Sequence, residues 1–386
     1  MYIHNIPIKN YFDPWTSNFT SRLKKLDSNG INVVYYYEKP DSSTFRYRVY
    51  NMIQALESST KKVFATFFWG DELDQLHNII SKADVIVICR SRYTEKLNRF
   101  ITAAQNKGKI VFFDIDDLVF NPIYTHLVVD SLNYDFENQI VSDFWFSFMG
   151  KQAATLNLCD YVITTNNFLA DCIRQFINKK VFVIPNFFNQ EQEEISNQIF
   201  QCKVKNNFLR NEKFHIGYFS GSPTHTKDFS IAQEAITELL AKYKNLVLRV
   251  VGYMDLDNKL KKFSSQIERY PMQDFINLQR IIGDVEVNIV PLQDNDFTNC
   301  KSELKYFEAG IAGTVTIASP TYAYKRVIKN GDNGFLAYDY EWYEKIEDLI
   351  NNPTSLVNLG LNANKSSQDL FLWRNFGSLI RNTLIL

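Results

Sequence analysis

The chain has 386 residues, of which 45% are hydrophobic and 15% aromatic, enough for two ordinary cores. Its formal net charge of −1 argues against broad nucleic-acid binding, which usually needs a basic field to neutralise phosphates, so we expect no nucleic-acid partner. The N-terminus lacks a signal-peptide pattern, and no stretch reaches the roughly 18 apolar residues of a membrane span. We therefore expect a cytoplasmic protein and leave open a peripheral contact with the inner face of the membrane.

Short runs of β-branched and aromatic residues alternate with amphipathic segments, a pattern typical of parallel βαβ units. The predicted strands of the first half are residues 31–38, 62–68, 84–90, 109–116, 161–165 and 181–186. Those of the second half are residues 214–220, 246–252, 285–291 and 314–319. The sequence therefore predicts an α/β protein with two parallel sheets, joined by the polar segment 188–213.

Charged residues follow two predicted strands of the first half. Arg46 and Arg48 follow the first strand, where they either grip an acceptor phosphate or pair with an acidic cluster. Asp114, Asp116 and Asp117 end the strand at 109–116, and strand alternation puts the first two on one side. Such carboxylates bind acceptor hydroxyls, act as a base, hold a divalent cation or cap a turn, and the sequence leaves these roles open.

An aromatic run in the first half has two interpretations. Residues 141–150 combine Phe144, Trp145, Phe146, Phe148 and Met149. Such runs usually pack in a core, and the alternative is an apolar patch that rests on a membrane presenting the acceptor. Elsewhere in the chain, five scattered cysteines show neither zinc-site spacing nor a disulfide framework, so we expect reduced thiols and no metal.

The second half opens with a strand and a loop that suits phosphate. The loop contains Gly221, Ser222, Thr224, His225 and Lys227. Glycine allows close backbone approach, a following helix offers free N–H donors, and the lysine pairs with an anion. An ordinary turn between a strand and a helix is the alternative.

A predicted helix from residue 301 carries Lys301, Lys305 and Glu308 on one face. Parallel sheets bind ligands at the carboxyl ends of their strands, where this helix and the glycine loop both emerge. Together they suit a nucleoside diphosphate, because the lysines pair with phosphate and a carboxylate accepts hydrogen bonds from both ribose hydroxyls.

The order of several motifs resembles the donor-binding half of GT-B glycosyltransferases of the large retaining family four. They are IPN (184–186), IGYFSGSPTHTKDF (216–229), VVG (250–252), KSELKYFEAGIAGTVTIAS (301–319) and NGDNGFLA (330–337). In the first half, RYRVYNMIQAL (46–56) and FFDIDDLVF (112–120) resemble a subset of bacterial surface-polysaccharide glycosyltransferases.

The resemblance implies roles for several residues. Glu308 matches the second glutamate of the family's E-x7-E signature, which holds the ribose, whereas Cys300 stands at the first glutamate. Glu303 is a poor geometric substitute for it unless the helix begins after Glu303. The family's phosphate-binding arginine and lysine fall on Ser222 and Lys227, and Lys301 or Lys305 supplies the missing positive charge. The family is also thought to use no metal and no protein nucleophile, because the departing phosphate helps to deprotonate the acceptor.

We therefore predict a two-domain GT-B enzyme that uses a nucleotide-sugar as substrate, needs no cofactor, and acts on a glycan or lipid-linked glycan acceptor. The predicted catalytic residues are Asp114, Asp116, Asp117, Lys227 and Glu308; the donor-binding residues are Gly221, Ser222, His225, Lys227, Lys301, Lys305 and Glu308; and the acceptor-binding residues are Arg46, Arg48 and Asp116. The predicted domains are an acceptor domain (1–195), a donor domain (196–365) and a C-terminal helix (366–386) that crosses back to the first domain. The alternatives are a non-catalytic nucleotide or sugar sensor and a two-lobed binding protein.

Overall fold

The computed structural model describes residues 1–26, 29–41, 43–59, 62–135, 137–221, 227–254 and 257–385. Twelve strands lie within these residues. They are β1 (Ile31–Tyr37), β2 (Val63–Trp69), β3 (Val85–Cys89), β4 (Ile110–Asp114), β5 (Tyr161–Thr164), β6 (Val181–Val183), β7 (Phe214–Ser220), β8 (Leu246–Gly252), β9 (Ile267–Tyr270), β10 (Val287–Val290), β11 (Val315–Ala318) and β12 (Phe335–Leu336).

The helices lie between and beside these strands. They are α1 (Phe19–Leu23), α2 (Asn51–Ser59), α3 (Leu76–Lys82), α4 (Glu95–Asn106), α5 (Thr125–Ser131), α6 (Gln139–Leu158), α7 (Asn167–Phe176), α8 (Gln190–Lys205), α9 (Ser230–Lys242), α10 (Asn258–Lys261), α11 (Phe275–Asp284), α12 (Asp296–Asn299), α13 (Leu304–Ile311), α14 (Tyr322–Val327), α15 (Trp342–Asn351), α16 (Ser355–Phe371) and α17 (Gly377–Leu384). None of the described helices is both long and apolar enough to cross a membrane.

The strands form two six-stranded parallel sheets, one in each half of the chain. The first has the order β2-β1-β3-β4-β5-β6 and the second the order β12-β11-β10-β7-β8-β9. Each of the ten predicted strands overlaps an observed one, and the predicted α/β fold with two parallel sheets is confirmed. Nearly continuous burial along β1, β3 and β7 explains the agreement, because strands covered on both faces consist of unbroken apolar runs.

The connection between the sheets is helical rather than irregular. The polar segment 188–213 contains α8, which Asn189 begins by accepting a hydrogen bond from the backbone of Gln192. Ile195 and Ile199 are fully buried, so a narrow apolar stripe holds this otherwise polar helix against α11. The domain boundary predicted between residues 195 and 196 falls inside α8.

Both ends of the described chain pack against the opposite half. The backbone N–H of Tyr2 donates to Asp284 O at 2.8 Å, and the N-terminal ammonium lies 2.9 Å from Glu286 in the second half. At the other end, α16 packs on α13, whereas α17 returns to α2 of the first half. Each half is therefore stabilised by a segment that is distant from it in sequence.

Candidate active site between the two sheets

A cavity of about 670 Å³ lies between the two halves of the molecule. Tyr37 ends β1 in its wall, and Arg90 and Asp116 follow β3 and β4. From the second half, Ser220 at the end of β7 and Val290 at the end of β10 line the same space. The carboxyl ends of both parallel sheets thus meet at one cavity, the usual location of a ligand site in α/β proteins.

Helix α13 brings the predicted donor residues to the cavity, but it begins later than predicted. The helix begins at Leu304, so Lys301 lies in the loop before it and not on a helical face. Lys305 and Glu308 are one turn apart within the helix, and both line the cavity, as does Lys301. The three charged residues therefore line one cavity although they do not share one face of a helix, as the sequence predicted.

Glu308 is the centre of a cluster that joins the two halves. The residue is 4% exposed, and its Oε1 accepts hydrogen bonds from Arg46 at 3.2 Å and from the hydroxyl of Tyr47. Gln192 of α8 adds a longer contact at 3.4 Å to the same oxygen. The first half of the chain thus fixes the orientation of the carboxylate, and Arg46 itself lines the cavity.

The two lysines of the cavity have different environments. Burial lowers the pKa of Lys305 to about 8, although the carboxylate of Asp228 opposes this effect. Lys301 Nζ lies 3.7 Å from an Asp117 carboxylate oxygen and 4.2 Å from the centre of the Phe297 ring. One cation is thus desolvated beside the cavity, whereas the other pairs with the acidic cluster of the first half.

Asp114 and Arg48 form a buried ion pair outside the cavity, which argues against their predicted roles. Arg48 Nε and Nη2 donate to the two Asp114 oxygens at 2.8 and 3.0 Å, and Arg48 Nη1 donates to Ile184 O at 2.8 Å. Both charged side chains are completely or almost completely buried, and neither lines the cavity. The pair joins the turn before α2 to the end of β4. Because both side chains are buried away from the cavity, neither is placed to act as a catalytic or acceptor-binding group.

Asp116 and Asp117 lie beyond the end of β4 and reach the cavity. Asp116 accepts hydrogen bonds from Arg90 at 3.0 Å and from Thr44 at 3.2 Å, and Asp117 lies 3.9 Å from Arg90. Because β4 ends at Asp114, the predicted alternation does not extend to Asp116. Arg90 has a backbone φ of 36°, a rare value for a residue with a side chain, and both carboxylates face its guanidinium.

The glycine loop is only partly described. Gly221 lines the cavity immediately after β7, whereas the predicted donor contacts Ser222 and His225 lie outside the described residues. Lys227 is described, and it forms an ion pair with Asp130 of α5 instead of lining the cavity. Lys227 therefore joins the two halves, and its predicted phosphate contact stays a prediction.

Neither Cys300, at the position of the missing first glutamate, nor Glu303 lines the cavity. Cys300 is fully buried, and Glu303 is 9% exposed at the position just before α13. Burial raises the pKa of Glu303 to about 7, which favours a neutral acid at this position. Ser302 and Leu304 line the cavity between and beside them.

Sequence reasoning missed two residues of the Glu308 cluster. Tyr47 belongs to the motif RYRV, and its position between two arginines was the signal that could have identified it. Gln192 offered no signal, because its helix α8 was not predicted. Thr44, which contacts Asp116, was also missed, and the nearby loop composition did not single it out.

The aromatic run on α6 is divided between cavity, core and surface. Trp145 and Phe148 line the cavity, with ring centres 5.2 Å apart, and Met149 is fully buried. Phe144 and Phe146 are 56% and 58% exposed. The predicted core packing thus holds for Met149, whereas Phe144 and Phe146 form an exposed apolar surface, and contact of this surface with a membrane stays a prediction.

Solved structures of glycosyltransferases have a similar fold. Anabaena Alr3699/HepE in complex with UDP and glucose has a TM-score of 0.61 and 13% identity, covering 92% of this chain and 99% of that one. Sucrose-phosphate synthase (tll1590) from Thermosynechococcus elongatus has a TM-score of 0.59 at 13% identity and the same two coverages. The pneumococcal O-GlcNAc transferase GtfA in complex with UDP and GlcNAc has a TM-score of 0.55 at 14% identity, covering 82% and 60%.

These likenesses define the class of protein as a GT-B fold with two Rossmann-like domains. Residues 213–352 also match a family model described as "Glycosyl transferases group 1", whereas no curated protein matches the chain. The predicted GT-B fold is confirmed, and the family match lies in the donor half, where most of the motifs quoted above also lie. The chain thus has the fold of GT-B glycosyltransferases, and its residues 213–352 are similar to group 1 of these enzymes.

Proposed function

We propose that the protein transfers a sugar from a UDP-sugar to a hydroxyl of a glycan or lipid-linked glycan, with retention at the anomeric carbon. The observation that carries this proposal is the single cavity lined by Glu308, Lys301 and Lys305 on one side and by Asp116 on the other. Solved relatives in complex with UDP or UDP-glucose support uridine diphosphate as the leaving group.

The donor half of the proposed site consists of α13 and the end of β7. Glu308 accepts hydrogen bonds from the ribose hydroxyls, and its contacts with Arg46 and Tyr47 orient it before the donor enters. Lys305 and Lys301 pair with the diphosphate. These two cations take over the charge that the family places in the glycine loop.

The proposed reaction needs electrostatic help rather than a protein nucleophile. The bond between the anomeric carbon and the donor phosphate oxygen breaks, and the acceptor oxygen bonds to the same face of the sugar. The departing phosphate takes the acceptor proton, while Lys305 and Lys301 stabilise the negative charge that grows on the diphosphate. The cavity between the domains limits access of water, which would otherwise hydrolyse the donor.

The acceptor half of the proposed site lies on the first domain. Asp116 and Asp117 offer carboxylate oxygens to acceptor hydroxyls, and Arg90 holds both carboxylates in place. Trp145 and Phe148 continue the cavity wall as an aromatic surface. The exposed apolar residues of α6 favour an acceptor presented at a membrane, which fits synthesis of a bacterial surface polysaccharide.

The test is a thermal-shift screen of the parent protein and its Glu308→Gln variant against UDP, GDP, dTDP, CDP and CMP. UDP at about 100 times its dissociation constant should add roughly 2.7 kcal/mol to the stability of the parent. The variant keeps the shape of the side chain but loses the charged acceptor, so it should gain much less. Glu234→Gln, an exposed substitution on α9, is the matched control and should respond like the parent.

The unliganded midpoints separate lost binding from lost folding, because Glu308→Gln also removes the ion pair between Glu308 and Arg46. Release of UDP from a UDP-sugar then tests turnover directly. If no nucleotide shifts the folded parent, or if another nucleotide does so in place of UDP, the UDP-sugar assignment is wrong. An equal shift in Glu308→Gln would remove Glu308 from the ribose site.

A further inference from the structure

Two cysteines from different domains meet beside the active site. Cys172 lies on α7 of the first domain, and Cys300 directly follows α12 of the second. Their Sγ atoms are 3.9 Å apart, and both are free thiols. Disulfide sulfur atoms lie about 2.05 Å apart, so rotation of the two short side chains has to close a gap of roughly 2 Å.

The segment that carries Cys300 is anchored in the opposite domain. Phe297 and Cys300 are buried in the same apolar cluster as Phe120 of the first domain. Asn166 Nδ2 donates to the carbonyl oxygen of Cys300 at 2.9 Å. The next residue along the chain is Lys301, which lines the cavity, so this contact lies directly beside the donor site.

We propose that Cys172 and Cys300 are a reversible oxidation site, whose disulfide crosslinks the two domains and arrests the enzyme. The reactant is a low-molecular-weight disulfide of the glutathione type. Neither thiol takes part in the sugar transfer proposed above, and the crosslink itself does not depend on which donor or acceptor the enzyme uses.

The two thiols differ in exposure and in pKa, as an exchange with a small disulfide requires. Cys172 is half-buried and reachable, and the hydrogen bond from Cys300 lowers the pKa of its thiol, although burial and Asp296 oppose this effect. Burial raises the pKa of the Cys300 thiol, which is fully enclosed. The first attack therefore falls to Cys172, and Cys300 acts second.

The thiol–disulfide exchange proceeds in two steps. The Cys172 thiolate attacks one sulfur of the small disulfide, forms a mixed disulfide and releases one small thiolate. Cys300 then loses its proton, attacks Cys172 Sγ and releases the second small thiolate. The protein loses two thiol hydrogens and gains one S–S bond, and the oxidant leaves as two thiol molecules.

The bond restrains the active site because the cavity has one wall in each domain. Donor entry and product release from such a cavity require the domains to move apart, at least locally. A covalent bond next to Lys301 opposes that movement. We expect oxidised protein to lose most of its turnover and to regain it when dithiothreitol is added.

The experiment incubates the full-length protein with oxidised glutathione, then maps peptides without reduction and measures release of nucleotide from its donor. The expected result is a peptide pair joined through Cys172 and Cys300, with loss of turnover that dithiothreitol reverses. Cys172→Ser should show neither effect. Cys202→Ser, which removes another half-buried thiol, should behave like the parent.

The peptide map needs no enzymatic activity, so it distinguishes a failure of this proposal from a failure of the UDP-sugar assignment. Glutathione that stays on Cys172 with Cys300 still reduced would overturn the proposal. A complete Cys172–Cys300 bond with unchanged turnover would overturn the arrest. If Cys300→Ser folds poorly, Cys172→Ser still decides the question, because its thiol is not in the core.

Discussion

The pKa of Lys305 should make donor binding depend on pH. Burial lowers this pKa to about 8, so the ammonium form predominates below pH 8 and is lost as the pH rises through that value. In the function proposed above, the diphosphate of the donor pairs with this ammonium group. The Michaelis constant for the donor should therefore rise several-fold between about pH 7 and about pH 9. Lys305→Met should have a high Michaelis constant and lack this part of the pH dependence.

The control for the pH profile is Lys325→Met, an exposed lysine on α14 outside the cavity. It should reproduce the parent profile. A parent profile that is flat across pH 8, or one that persists unchanged in Lys305→Met, would show that Lys305 does not bind the diphosphate. Steady-state kinetics at saturating acceptor are sufficient to measure this constant.

At the residue scale, the sequence identifies charges that belong together but not their degree of burial. Arg46 and Arg48 are two positions apart, yet the first lines the cavity and the second is sealed against Asp114. Residues Arg46 to Tyr50 form a helical turn, so the side chains of Arg46 and Arg48 point in different directions. They would point to the same side if this segment were a strand. A buried charge requires a close partner, and only the folded contacts show which charge meets this condition.

At the element scale, the close packing of α13 on α16 should position the donor residues. A Cβ added at Gly310 would lie 2.9 Å from Ala363 O and would also contact Ser367 Oγ. Gly310→Ala must push α13 away and move Glu308, which is two residues earlier. We expect a loss of about 1 to 3 kcal/mol in the free energy of unfolding and a higher Michaelis constant for the donor.

The matched control for this substitution is Gly150→Ala. Gly150 is also inside a helix, α6, and an added Cβ would have no described atom within 4 Å. Alanine there should leave stability unchanged or raise it by up to about 1 kcal/mol, because alanine favours helix. Thermal unfolding compares the two variants. Parent-like stability and kinetics in Gly310→Ala would mean that the helices do not need this close contact.

The strands and the helix that the sequence did not predict were missed for similar physical reasons. β9 has the sequence IERY, and none of its residues is fully buried, so it lacks an apolar run. β12 has only two residues at the other edge of the same sheet. The polar helix α8 has a narrow apolar stripe, which packs against α11 and other neighbours from distant parts of the chain. Edge strands and lightly buried helices depend on their neighbours more than on their own pattern.

At the scale of the whole molecule, the candidate site is assembled from contacts between domains. Arg46 with Glu308, Asp117 with Lys301, and Asp130 with Lys227 each join the first domain to the second. The motif order of the donor half was sufficient to predict the fold and the position of Glu308 at the cavity. The partners of these residues come from the other half, where the resemblance is weaker, and they could not be read from the motifs.

The C-terminal helix α17 should stabilise the first domain although it follows the second in sequence. It packs on α2, and Ile380 is fully buried, whereas its neighbour Leu379 is 41% exposed. Ile380→Ser removes apolar area from the core and buries a hydroxyl, so it should cost about 3 kcal/mol in the free energy of unfolding. Leu379→Ser should cost less than about 0.5 kcal/mol. Denaturant unfolding measures both, and equal effects would contradict the docking of α17 on α2.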